Sequence, residues 1–114
     1  MARLNKIMDE NQTIIDNQFL KMREDFLNRL AEKFLQIDTA LLAISEQGPT
    51  KQLRGVIAQL AHQTAGVAPT YGFTDIGAMA SQVESVWTHE YSESRLREAT
   101  ALTETYLDSV EEIL

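Results

Sequence analysis

The stretch NQFLKMREDFLNRLAEKFLQIDTALLAISE, residues 17–46, decides the fold of this chain. Its apolar residues recur at intervals of three and four, the spacing that places side chains on one face of an α-helix. These residues are Phe19, Met22, Phe26, Leu30, Phe34, Ile37, Leu41 and Ile44. The pattern predicts one long amphipathic helix that packs on a single side. Gly48 suits the left-handed position after a helix and Pro49 cannot continue one, so we expect the helix to end there.

The same spacing predicts three further helices, and no segment shows the alternation typical of a strand. Their expected buried stripes are, in chain order, Leu53, Ile57, Leu60, Thr64, Val67 and Tyr71; then Ile76, Met79, Ala80, Val83 and Trp87; then Leu96, Ala99, Thr103, Tyr106, Val110 and Ile113. The residues expected to start, bend or end these helices are Thr50, Pro69, Gly72, Thr74, Asp75 and either Ser92 or Ser94. The short connections favour an all-α fold, an antiparallel up-down four-helix bundle over residues 16–114.

Residues 1–15 form an N-terminal extension with a weaker helical stripe. The stripe comprises Leu4, Ile7, Met8, Ile14 and Ile15, with Asn11 interrupting it. The segment is compatible with an extra helix, with a frayed extension, and with a helix whose apolar face forms a dimer contact. The sequence does not choose among the three.

His62 lies on the side of the second helix that faces away from its apolar stripe. At about 100° per residue, the stripe is roughly 140–180° from the direction of His62. Seven residues lie within about 60° of it, and all but the first and fourth are small: Lys51, Gly55, Ala58, Gln59, Ala65, Gly66 and Pro69. We therefore expect an imidazole open to a large partner. A close helix-packing groove around a partly buried histidine is the alternative.

The segment from Ala61 to Glu84 resembles the histidine-containing phosphotransfer (HPt) domain family. The matching positions are Ala61, His62, Ala65, Gly66, Ala68, Gly72, Ile76, Val83 and Glu84. Two positions depart from the family pattern. Thr64 replaces the usual hydrophobic residue, and Ala65 replaces a lysine thought in many members to steady the phosphoryl group.

The resemblance implies that His62 is the phosphorylated nucleophile of a phosphorelay intermediate. The implied partners are a response-regulator receiver domain and a hybrid or sensor histidine kinase, and the receiver supplies the magnesium ion. The chemistry is consistent, because a neutral imidazole nitrogen can attack phosphorus. The chain has no Gly-rich phosphate loop, so the catalytic apparatus is expected to belong to the partner and the chain to be a carrier rather than an enzyme.

Composition narrows the remaining classes of function. With 114 residues, of which 44% are hydrophobic, the chain can build one core. There is no cysteine, which excludes disulfides and thiolate chemistry. A formal net charge of -7 with scattered basic residues argues against nucleic-acid and anionic-membrane binding. No apolar run approaches the length of a membrane span, and we expect a cytoplasmic protein.

Other residues and other classes of function offer alternatives. His89 has bulky, charged neighbours, and a histidine at a helix C-terminus commonly interacts with the helix dipole. Lys51 and Arg54 could attract an acidic receiver surface or be ordinary solvated charges. A di-metal bundle needs inward Glu-x-x-His pairs, and none occurs. The serious alternative to phosphotransfer is an HPt-like docking module that binds a receiver without accepting phosphate.

Overall fold

The computed structural model describes residues 2–114 and contains four α-helices. They are α1 (Ala2–Gln47), α2 (Lys51–Val67), α3 (Thr74–Trp87) and α4 (Leu96–Ile113). Short 3₁₀ turns precede α3 and α4, at Ala68–Tyr71 and Glu93–Arg95. No strand occurs within residues 2–114, so the predicted all-α four-helix architecture is confirmed. None of the helices in this described part is both long and apolar enough to cross a membrane.

The turn between α1 and α2 forms as its residues predict. Gly48 adopts a left-handed backbone, with a φ of 91°, and its N–H donates to the carbonyl of Ile44 at 2.8 Å. Thr50 caps α2, because its hydroxyl accepts a hydrogen bond from the N–H of Leu53 at 3.2 Å. The turn brings α2 back antiparallel along α1.

The corner between α2 and α3 depends on Pro69 and Gly72. The α-helix ends at Val67, and Pro69 lies in the 3₁₀ turn that follows. Gly72 closes this turn with a φ of 90°. The predicted bend and closure are confirmed. The predicted cap at Thr74 is wrong: Thr74 is the first residue of α3, and Phe73 occupies the cap position without a side-chain hydrogen bond.

The predicted cap of α4 is also wrong. Ser92 precedes the 3₁₀ turn without capping it, and its hydroxyl lies 3.1 Å from that of Ser94. Arg95 occupies the cap position of α4 instead, again with no side-chain cap. The guanidinium of Arg95 binds Glu98 in the first turn of α4, with nitrogen–oxygen distances of 3.1 and 3.0 Å.

The core lies where the stripes of the four helices converge. Trp87 of α3 and Tyr106 of α4 are its largest fully buried side chains. The indole N–H of Trp87 donates to the hydroxyl of Thr103 at 2.7 Å, and that hydroxyl donates to the carbonyl of Ala99 at 2.8 Å. These hydrogen bonds satisfy the indole N–H of Trp87 and the hydroxyl of Thr103 inside the core, and they link α3 to α4.

Three residues predicted for the buried stripes are exposed. Val67 is 45% exposed at the end of α2, while Phe19 and Met22 are 43% and 55% exposed. The last two lie where α1 begins to leave the bundle. The helix continues without a break through the extension, and every described residue from Ala2 to Met22 is exposed. At about 1.5 Å per residue its 46 residues span about 69 Å, whereas the 17 of α2 span about 26 Å.

Candidate functional site

His62 projects from the middle of α2 into solvent. Its side chain is 66% exposed, although the helix that carries it is packed into the bundle. Its neighbour Ala61 is fully buried and Thr64 is 2% exposed, so the opposite side of α2 faces the core. The helix thereby holds the backbone of His62 rigidly while leaving its ring accessible.

The ring of His62 is oriented by Glu84 of α3. The Nδ1 atom lies 2.9 Å from the Oε1 atom of Glu84, whose side chain is 32% exposed. A carboxylate only accepts hydrogen bonds, so the contact assigns the hydrogen to Nδ1. In a neutral ring with this tautomer, the Nε2 atom carries the free lone pair. A carboxylate on a neighbouring helix that fixes the tautomer of a histidine leaves one defined nitrogen for nucleophilic attack.

Two glycines keep the approach to His62 open. Gly55 and Gly66 lie two turns before and one turn after it on the same face, and both are exposed. A Cβ atom added to either would meet nothing within 4 Å. Gln59 is exposed between Gly55 and His62, and Lys51 and Pro69 are exposed at the two ends of the face. These six residues form what we call the His62 face: Lys51, Gly55, Gln59, His62, Gly66 and Pro69.

Neither Ala58, which was expected on this face, nor Arg54, which was expected to attract a receiver near it, belongs to the face, and Ala65 lies at its edge. Ala58 is only 6% exposed and is part of the hydrophobic core. Arg54 is half-buried, and its side chain already makes contacts within the chain. Its Nε donates to the carbonyl of Pro49 at 3.2 Å, and its guanidinium lies 4.3 Å from the ring centroid of Tyr91. Ala65 is partly buried against the core. The helical pattern of α2 alone does not show which of its sides the other helices cover.

The structure shows a contact of Glu84 that the sequence did not reveal. In the sequence, Glu84 matches a position of the family motif but has no assigned role. It lies 22 residues after His62, and only the antiparallel packing of α3 on α2 brings the two side chains together. The sequence signal was the glutamate that follows Val83 on the buried stripe of α3. Gln63, which follows His62 on α2, is exposed as well.

His89 lies elsewhere. It is exposed in the turn after α3, and its Nδ1 atom is 3.3 Å from the hydroxyl of Thr88. No carboxylate orients its ring within the described residues. The described part of the chain also contains no group of three or more histidine, aspartate or glutamate side chains able to hold a metal ion.

Comparison with known protein families supports a single assignment. The family model of the Hpt domain matches residues 21–113, which includes all of α2, α3 and α4. No curated protein and no solved structure matches the chain. Hpt domains act in histidine phosphotransfer in two-component and phosphorelay signalling, as phosphocarriers rather than catalysts, and interact there with receiver domains and histidine kinases. With a match over most of its length and the helical bundle that the family requires, the chain belongs to the Hpt domain family.

Proposed function

We propose that the chain is a phosphorelay intermediate that carries its phosphoryl group on the Nε2 atom of His62. It takes the group from the aspartyl phosphate of a receiver domain, in a pathway fed by a hybrid or sensor histidine kinase. It then passes the group to the aspartate of a response-regulator receiver. The observation that carries the proposal is the exposed ring of His62, held by Glu84 through Nδ1 and flanked by two glycines.

The transfer is an exchange of bonds at phosphorus. The lone pair of Nε2 attacks the phosphorus atom, the N–P bond forms, the acyl P–O bond breaks, and the aspartate leaves as a carboxylate. The imidazole becomes positively charged as the N–P bond forms, while the proton on Nδ1 stays in its hydrogen bond to Glu84. A carboxylate placed beside this developing charge stabilises the transition state more than the ground state.

The rest of the chemistry is assigned to the receiver. Phosphoryl transfer requires alignment and neutralisation of the phosphoryl oxygens, which a magnesium ion and a lysine can provide. The His62 face offers the exposed cation Lys51, at the first residue of α2. We therefore propose that the magnesium ion enters with the acidic pocket of the receiver, and that the chain supplies the nucleophile and its orientation.

The surface beside the His62 face is suited to a protein partner. Gly55 and Gln59 also line a shallow groove between α1 and α2, together with Val56. Val56 also lines a second, mostly apolar depression, together with Leu35. The side chains of Val56 and Leu35 are 39% and 63% exposed. A receiver that covers His62 would bury this apolar surface as well.

The alternative function is a docking module that binds a receiver without accepting phosphate. The observation that favours it is the absence of a lysine at Ala65, which leaves a small, partly buried side chain one turn from His62. Docking alone would need the His62 face but not the nucleophilic nitrogen.

Incubation with phosphorylated receivers distinguishes the two functions. Label should move from the receiver to the wild-type chain and to His89→Gln, and should not move to His62→Gln. Circular dichroism should show equal helicity in all three, since both histidines are exposed. Receiver binding without any label on the wild-type chain, across several receivers, would favour the docking module.

A further inference from the structure

The N-terminal part of α1 projects beyond the bundle. The first side chain along α1 to pack against the bundle is Phe19, whose ring centroid lies 5.5 Å from that of Tyr71. Residues 2–18 precede this contact and are all exposed. We call them the overhang. At about 1.5 Å per residue the overhang is about 25 Å long, and it lies outside the part of the chain matched by the Hpt family model.

The overhang presents one continuous apolar face. At about 100° per residue, five large apolar side chains of the overhang lie within about 60° of the direction of Asn11. They are Leu4, Ile7, Met8, Ile14 and Ile15, each between 54% and 59% exposed. Taking about 100 Å² for each, they offer roughly 500 Å² of accessible apolar surface per copy, so two paired overhangs would bury roughly 1,000 Å², the lower limit for a specific protein interface.

From this surface we propose that the overhang forms an antiparallel homodimer with the overhang of a second copy of the chain. The pattern around Asn11 reads the same in both directions. Ile7 and Met8 lie four and three residues before it, and Ile15 and Ile14 lie four and three residues after it. A two-fold axis at Asn11 places Ile7 of each copy against Ile15 of the other, and Met8 against Ile14. An interface between identical surfaces requires this reciprocity.

Asn11 gives the second copy a specific register. Its amide both donates and accepts hydrogen bonds, so two Asn11 side chains can pair across the axis. A single asparagine within an apolar helix seam is a known way to fix register and oligomeric state. An anionic membrane is a poorer occupant, because residues 2–18 carry two basic side chains, Arg3 and Lys6, against three acidic ones, Asp9, Glu10 and Asp16.

The dimer leaves both His62 faces free. Tyr71 marks the end of the bundle nearest the overhang. His62 lies nine residues before Tyr71, about 13 Å further from the overhang at the rise of α2. The two active faces therefore lie on separate bundles at opposite ends of the paired helices, and each can meet a receiver independently.

Sedimentation equilibrium of the full chain tests the association. The wild-type chain should be a dimer, and the double substitution Ile7→Asp with Ile15→Asp should weaken association at least a hundredfold. The control is Leu20→Asp, because Leu20 is 59% exposed but lies about 180° from Asn11 on α1, and this variant should remain a dimer. A monomeric wild-type chain at every concentration, or a double variant that still dimerises as tightly, would overturn the proposal.

Cysteine cross-linking tests the orientation, since the natural chain has no cysteine. In an antiparallel pair Ile7 lies against Ile15 of the other copy, so a mixture of Ile7→Cys and Ile15→Cys chains should form the mixed disulfide faster than either chain cross-links to itself. Faster self-cross-linking of Ile7→Cys would indicate a parallel pair and overturn the arrangement about Asn11.

Discussion

Replacing Glu84 should slow phosphoryl transfer to His62 without displacing the site. In Glu84→Ala the ring loses the hydrogen bond that places the hydrogen on Nδ1, and the developing positive charge loses its carboxylate neighbour. A hydrogen bond to a charged group is worth about 1.5–3 kcal/mol when buried. The two side chains here are 66% and 32% exposed, which lowers this value toward the ~0.2–1 kcal/mol of exposed pairs.

Docking of a receiver excludes water from the pair and strengthens it. We therefore expect Glu84→Ala to raise the barrier by about 1–1.5 kcal/mol, which is a loss of about 5- to 12-fold in rate. Glu84→Gln keeps an acceptor oxygen but removes the charge, and should lose about 2- to 3-fold.

The assay is the rate of label transfer from a phosphorylated receiver, measured over a range of receiver concentrations. The loss should appear in the rate at saturation rather than in the concentration needed to reach it, because Glu84 acts on the ring and not on docking. Glu104→Ala on the exposed face of α4 is the matched control and should transfer as the wild type does. Wild-type rates in Glu84→Ala would refute the role of the hydrogen bond.

Three further predictions test separate parts of the account. Gly66→Gln should block receiver docking and reduce transfer at least tenfold. A urea melt should show unchanged or higher stability, because an interior helical glycine costs up to about 1 kcal/mol. Unimpaired transfer would mean that the receiver does not dock over this face. Gly77→Ala should destabilise the fold by about 1–3 kcal/mol, since its Cβ would lie 3.0 Å from the ring of Pro69. Gly55→Ala, whose Cβ would meet nothing, should stabilise the fold, and equal unfolding midpoints for the two variants would contradict the packing at the corner. Burial raises the pKa of Tyr106 above its ordinary value of 10.0, so the unfolded chain loses this proton at a lower pH than the folded chain does. The stability of the fold should therefore decrease as the pH rises above about 10, and Tyr106→Phe should reduce this decrease in thermal melts at high pH.

The sequence predicted the helices well because each stripe is a local property of its own segment. The period of residues 17–46, the left-handed Gly48 and the corner at Pro69 all depend on neighbours in the chain, and all three are confirmed. Serine and threonine caps were predicted less well. Thr50 caps its helix, but Ser92 and Thr74 do not: a 3₁₀ turn separates Ser92 from the start of α4, and Thr74 is already the first residue of α3.

The candidate site was only partly predictable for a related reason. A helical projection places side chains around one helix, so it found the open side of His62 but could not show that Ala58 is buried in the core or that Arg54 packs over Tyr91. The contact between His62 and Glu84 joins residues 22 positions apart and arises only from the packing of two helices. The outward face of the overhang was visible in the sequence, but its continuity with α1 was not.

The most direct test of the account is to identify the phosphorylated atom. The chain is phosphorylated by a labelled receiver, the labelled peptide is mapped, and proton–phosphorus correlation by NMR of the intact phosphorylated chain assigns the ring nitrogen. The account predicts a single phosphoryl group on Nε2 of His62, because Nδ1 is held by Glu84. A phosphoryl group on Nδ1 of His62, or on His89, would contradict it.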